Sequence, residues 1–251
     1  MKKLLWFALP IAFLIVIWEV VSRSGFVSFN FFPPPSKVVV ALWGMVTSGT
    51  LFLDLRDSSW RLIVGLFLGS VVGVITGLIT GRNKLFEKVL CPVIQILRPL
   101  PPVAIIPLII VWFGIDDGAK IFSIAFAVFF PVWLNAHIGS GLMAKEFLWS
   151  ARLLTKSPLQ IFYKVIFPST LPFIIAGIRT GAAVAFIMVF VSELSGASSG
   201  LGYRISITSL AYRIDQMIAA LIVLGVFGAI TDQLLVYGTN KIFPWVKFSI
   251  K

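Results

Sequence analysis

The chain of 251 residues is poor in charge, and it contains one cysteine and one histidine. Charged residues make up 12% of it and hydrophobic residues 59%. A soluble domain carries about 25% charged and 45–50% apolar residues, so the balance excludes an ordinary water-soluble globule. A lone Cys91 excludes an intrachain disulfide and a multi-cysteine zinc site. It reads as a small apolar residue at a helix start. No G-x-x-x-x-G-K-[ST] run occurs, so the chain has no phosphate-binding loop of its own. Gly200 to Gly202 is only a fragment of a glycine-rich pattern and reads as a flexible turn. No H-E-x-x-H occurs either, and His137 reads as a polar helix-end residue rather than a metal ligand. Acidic residues number 10 against 21 basic ones, a net charge of +11. A nucleic-acid binder would cluster that charge on a soluble face. Here the basic residues stand singly between apolar runs, which fits anchoring beside a membrane and gives no reason for a nucleic-acid partner.

A spanning helix needs roughly 20 mainly apolar residues, because lipid offers no partner to a bare backbone group. Six stretches qualify: 4–21, 62–80, 93–113, 121–136, 171–191 and 217–237. The third is interrupted by Arg98 and several prolines. The fourth is short unless 138–142 joins it. Lys2 and Lys3 before the first run resemble a secretory signal. The run is long for a signal core and no Ala-x-Ala follows, so an uncleaved first span is favoured.

With the N-terminus inside, one membrane side holds Lys2, Lys3, Arg82, Lys84, Lys88, Lys145, Arg152, Lys156, Lys164, Lys241, Lys247 and Lys251, which is 12. The other holds Arg23, Lys37, Arg56, Arg61, Lys120, Arg204 and Arg213, which is 7. The bias predicts cytoplasmic termini. It sharpens further because 36–61 reads as a long outside loop, whose charges count for less.

Two spans carry internal patterns. Gly65, Gly69, Gly73, Gly77 and Gly81 recur at every fourth residue and form one smooth stripe, which lets a second helix approach closely. The reading is helix packing, with this helix central to the bundle. Five prolines between Pro92 and Pro107 rule out a straight third span. A broken helix at membrane depth is tolerated inside protein or along a cavity. A pathway lining and a kinked packing helix fit equally well.

The stretch Lys145 to Pro168 is polar, basic and still patterned. Ser157 suits a helix cap, Pro158 the first helical position and Gln160 the return half of a capping box. Leu159, Phe162, Tyr163 and Ile166 then fall on one face, and Pro168 is expected to stop the run. Upstream, Phe147, Leu148, Ala151 and Leu154 make a second short apolar face. Two such helices either dock on a partner or lie on the lipid headgroups.

Residues 149–168, WSARLLTKSPLQIFYKVIFP, resemble the cytoplasmic "EAA" loop of the permease subunits of ABC importers. The resemblance extends over Asp54 to Trp245. It includes Ser58 to Arg61 ahead of the glycine stripe, RPLPPVAIIPLIIVWFG at 98–114, Phe129 to Pro131, and Glu193 followed by Gly200 to Tyr203. These segments are similar to the branch serving nitrate, taurine and aliphatic sulfonates. The resemblance implies one all-α membrane domain of about six spans over 1–251, with residues 1–53 as first span and outside loop and 54–245 as the core. It implies a transport subunit in the plasma membrane rather than an enzyme. It also implies a second copy of the chain, two cytoplasmic ATPase subunits carrying the ATP and Mg, and an external solute-binding protein. The coupling residues it implies are Phe147, Leu148, Trp149, Ser150, Ala151, Arg152, Leu153, Leu154, Thr155, Phe162 and Pro168. Trp149, Ser150 and Thr155 stand where the family has Glu, Ala and Gly. A turn that needs positive φ would be strained at a β-branched Thr155.

Arg98, Arg179 and Asp232 remain, each roughly 8–12 Å inside the cytoplasmic ends of their spans at about 1.5 Å per residue. A charge there is costly unless paired. Asp232 is a candidate partner for either arginine. Together with Glu193, these residues are candidates for the pathway, with the two arginines facing an anionic solute. An ion-coupled carrier or channel, which would show paired half-repeats, and a membrane scaffold without substrate remain the alternatives.

Overall fold

The computed structural model describes residues 2–25, 28, 30–143, 145–155 and 157–243, with side chains from Leu9 onward and without those of Lys145 and Glu146. Lys156, Lys247 and Lys251 of the basic count, and the Trp245 boundary, lie outside the described residues. All regular structure among the described residues is helical. Two compact units are distinguished, one formed by Met1–Ser58 with Ser198–Phe227, the other by Ser59–Ala197 with Gly228–Lys251.

In the first unit, α1 (Lys2–Arg23) covers the first candidate span. It is tied to α2 (Pro35–Thr47) by polar contacts. Trp18 Nε1 donates to the Pro33 carbonyl at 3.1 Å, and the Ser36 N–H donates to Glu19 at 3.1 Å. The stretch expected as a long outside loop is thus helical. Pro35 opens α2 where its missing N–H costs nothing, and Val38, Ala41 and Met45 bury one face. The same stretch contains the start of α3 (Thr50–Arg82), a 33-residue helix that begins twelve positions before the second apolar run. The Asp, Arg and Ser residues at 54–61 hid it, because in sequence they look like solvated loop.

The second unit takes α3 from Ser59, then α4 (Lys84–Leu97), α5 (Pro102–Phe113), α6 (Asp117–Gly141), α7 (Lys145–Leu154), α8 (Pro158–Ile161), a π-helical turn at Phe162–Ile166, and α9 (Phe167–Leu194). The interrupted third segment is a helix pair bent by 98° at residues 98–101. Pro101 caps α5 and Pro102 opens it, while Pro92 and Pro107 remain inside helices. Among the described residues, four helical stretches are long and apolar enough to cross a membrane: Thr50–Arg82, Asp117–Gly141, Pro158–Leu194 and Ile214–Ile242, the last being α11. The bent pair passes the same test only when its two helices are taken together, as a broken span or a re-entrant loop.

Pro168 does not stop the amphipathic run as expected. The chain passes through the π turn straight into α9, and Phe167 N–H reaches back five residues to the Phe162 carbonyl. The wider turn sits just ahead of the residue that has no N–H to donate, a known way to carry a helix past such a break.

The glycine stripe of α3 packs against α6. Ile124, Val128, Val132, Ala136 and Ser140, again at every fourth position, face the stripe. A methyl added at Gly65 would lie 2.6 Å from Ile124 Cγ2, and one at Gly77 2.6 Å from Ala136 Cβ. Gly177 and Gly181 bring α9 equally close to Val132 and Val128 from another side. Cys91 is inside α4 rather than at its start, buried with Ile94, Phe130 and Trp133. His137 is likewise inside α6, its Nδ1 3.0 Å from Thr80 Oγ1 and its ring stacked on Trp133. Gly77→Val is expected to lose most of its folded yield, since both walls are helix and overpacking costs about 1–3 kcal/mol or more. Gly225→Val, which meets open space, is the control. Monodisperse recovery after heating in detergent reads the difference.

Candidate functional site

Three polar arrangements interrupt the apolar bundle. The first is the loop between α6 and α9. Ser157 caps α8, accepting from Gln160 N–H at 3.4 Å, as its position predicts. The return half of the capping box is replaced: the Gln160 side chain accepts from the Thr155 hydroxyl at 2.7 Å, and the Thr155 oxygen accepts from Ser157 N–H at 3.2 Å. Thr155 is not in the left-handed region, where Tyr212 is the one described non-glycine residue. The turn therefore needs no glycine, and the threonine hydroxyl organises it instead.

The apolar residues of this loop divide into two sets. Ala151 and Ile166 are buried, and Phe162 packs against the cluster of Leu78, Ala136 and Ile174. Phe147, Trp149, Leu153, Leu154, Leu159 and Tyr163 are exposed. Leu148 is half-buried, Ser150 and Arg152 are exposed, and Pro168 sits in the second position of α9. The loop is thus anchored by one face and presents leucines and aromatics on the other.

The second arrangement joins the starts of α3 and α6 to the end of α9. Arg61, only 2% exposed, donates to Glu193 at 2.8 Å and to Asp117 at 2.8 Å. Lys120, also buried, donates to the Ile115 carbonyl at 2.7 Å and lies 3.9 Å from Asp117. Two arginine and lysine charges balance two carboxylates. Glu193 was expected as a pathway candidate; in the fold its carboxylate is closed off by Arg61. The partners Arg61, Asp117 and Lys120 escaped the sequence reading. The one available signal was a charge just outside one end of each of three apolar runs: Arg61 before 62–80, Lys120 before 121–136 and Glu193 after 171–191.

The third is Arg179 with Asp232. Two parallel bonds, Nε to Oδ1 at 2.9 Å and Nη2 to Oδ2 at 3.0 Å, form a planar fork. Arg179 borders a cavity of about 200 Å³ walled by Ile175, Ile178, Leu235 and Val236. Arg98 caps the exposed end of α4 at the 98° break, and no acidic side chain among the described residues pairs with it. In the first unit, the fragment read as a flexible turn is ordered. Asp54 accepts from Gly200 N–H at 3.0 Å and from Arg204 at 2.7 Å, and Ser58 Oγ accepts from Leu201 N–H at 2.9 Å. These bonds cap α10 (Leu201–Leu210), whose open N–H groups need partners. Gly200, at φ 118°, supplies the backbone the approach requires. No group of three metal-binding side chains occurs among the described residues.

This architecture has relatives. The chain is 38% identical over 235 residues, 93% of its length and 85% of the relative's, to a Bacillus subtilis protein named as the aliphatic sulfonates transport permease SsuC. It is 36% identical to the Escherichia coli protein of the same name, covering 90% of this chain and 86% of that one. Its fold matches a subunit of the inward-facing MetNI methionine ABC transporter with a TM-score of 0.64 at 19% identity, over 79% of this chain and 98% of that one. Residues 69–242 match the model of the binding-protein-dependent transport system inner membrane component. The chain belongs to that family and is a permease subunit of an ABC importer.

Proposed function

We propose that this permease imports a small anionic solute of the sulfonate class, driven by separate ATPase subunits that dock on residues 146–168. The observation that carries the coupling is the loop's double face: one side is locked into the bundle, and the other exposes Leu153 and Leu154 to a partner. Exposed leucines on a short hydrogen-bonded helix are costly in water, at roughly 25 cal/mol per Å², and a groove on the ATPase relieves that cost. The chain has no phosphate-binding loop, so ATP and Mg belong to the partner. The working assembly is two copies of this chain, two ATPase subunits and an external solute-binding protein, in the plasma membrane with both termini cytoplasmic. The names of the relatives support a sulfonate as cargo. The exposed Arg98 at the helix break supports an anion, since the fork to Asp232 already occupies Arg179.

Reconstitution with the ATPase and the binding protein tests the reading. ATP-dependent uptake of a labelled alkanesulfonate is expected, with a 2:2 mass for the permease–ATPase complex. Uptake that follows an ion gradient without ATP overturns it. Arg98→Gln is expected to raise the KM for the sulfonate at least tenfold with little change in kcat, because one hydrogen bond to a charged group contributes about 1.5–3 kcal/mol and each 1.4 kcal/mol is a factor of ten. An unchanged KM removes Arg98 from the pathway.

A further inference from the structure

Two adjoining cavities at the cytoplasmic end of α3 share Arg82, Pro158 and Ile166. One, of about 640 Å³, is an apolar groove walled by Ile75, Ile79, Phe86 and Phe162. Ile75 and Ile79 are one helical turn apart, and Ile75 lies seven residues before Arg82, roughly 10 Å deeper in the membrane at 1.5 Å per residue. The other, of about 420 Å³, is lined by both Arg82 and Arg152, with Leu148, Thr155 and Ile161 beside them. No acidic side chain among those described pairs with either arginine. Two like charges facing one cavity repel each other, and an anion between them removes the repulsion.

We infer that this double cavity binds one phospholipid with an anionic headgroup. Its phosphate sits between Arg82 and Arg152, and an acyl chain lies along Ile75, Ile79 and Phe162. A single occupant then satisfies both halves. An acidic side chain from a protein partner would fill the arginine pocket and leave the groove open. A free anion would do the same. Basic pockets between spans on the cytoplasmic side are suited to such headgroups, because anionic lipids and basic residues meet at that depth. Arg82 ends the glycine-striped helix, while Arg152 belongs to α7 in the loop. The lipid phosphate therefore bridges a span to the loop. The inference rests on the proposed function only in taking this end as cytoplasmic, and its test needs no transport.

The full-length permease in detergent is titrated with phosphatidylglycerol, phosphatidylcholine and free glycerol phosphate, and bound species are counted by native mass spectrometry. Phosphatidylglycerol is expected to bind about thirtyfold more tightly than phosphatidylcholine, the effect of two basic residues at the scale of surface groups. Arg82→Gln with Arg152→Gln removes that preference. Ile79→Trp, which leaves both arginines and fills the groove, weakens phosphatidylglycerol at least tenfold. The inference fails if the two lipids bind alike. It fails if the arginine variant keeps the preference, or if glycerol phosphate competes as well as the intact lipid.

Discussion

Replacing Leu153 and Leu154 together by Asp is expected to abolish ATPase binding and uptake while leaving the bundle inserted. Both leucines are nearly bare, at 89% and 88% exposed, so no contact within the chain is lost. Each fully buried leucine is worth about 1.5–3 kcal/mol, and carrying a carboxylate into an apolar groove costs more. The affinity for the ATPase should therefore fall by more than a hundredfold, since each 1.4 kcal/mol is a factor of ten. Phe162 is a poorer probe, because it packs against Leu78, Ala136 and Ile174 inside the bundle. Phe162→Asp is expected to unfold the subunit as well as uncouple it. Co-purification with the ATPase reads docking, and size-exclusion profiles read folding. If the double aspartate variant binds and transports normally, the loop lies on the membrane surface and another segment couples the ATPase.

Removing Glu193 should have the largest effect on stability. Glu193→Ala takes from the buried Arg61 its fully buried carboxylate partner and leaves the half-exposed Asp117 beside it. Breaking a buried pair at one partner costs about 3–5 kcal/mol, because the surviving charge stays out of water. Removing both Arg61 and Glu193 is expected to cost less than Glu193→Ala alone, leaving Asp117 near Lys120 at 3.9 Å. Unfolding midpoints in mixed detergent micelles measure both variants. A double variant less stable than either single one means that the pair contributes more than its mutual neutralisation.

Much of this was legible because it is local. Apolar run length follows from what lipid demands of a backbone, so the spans stand out. The glycine stripe repeats at about one helical turn, and the helix break at 98–101 is written in proline. Ser157 capped α8 as its position predicts, because a cap is decided within three residues. Expectations failed where a neighbour from elsewhere in the chain intervened. Residues 54–61 looked solvated, yet Asp54 and Ser58 hold the N–H groups of Gly200 and Leu201. Gln160 turned from its own cap to Thr155, because a hydroxyl lay within reach.

The sequence by itself determined a membrane bundle, the broken third segment and the patterned loop, since each depends on spacing along one helix. Only the tertiary structure decided which charges pair. Arg61 meets Glu193 across 132 positions, Arg179 meets Asp232 across 53, and Arg204 meets Asp54 across 150. Hydropathy marks Arg179 and Asp232 as costly in their spans and leaves Asp54, Arg61, Glu193 and Arg204 outside the apolar runs, and it says nothing of any partner. The choice is made when packed helices bring opposite charges to the same depth and the desolvation cost forces them together.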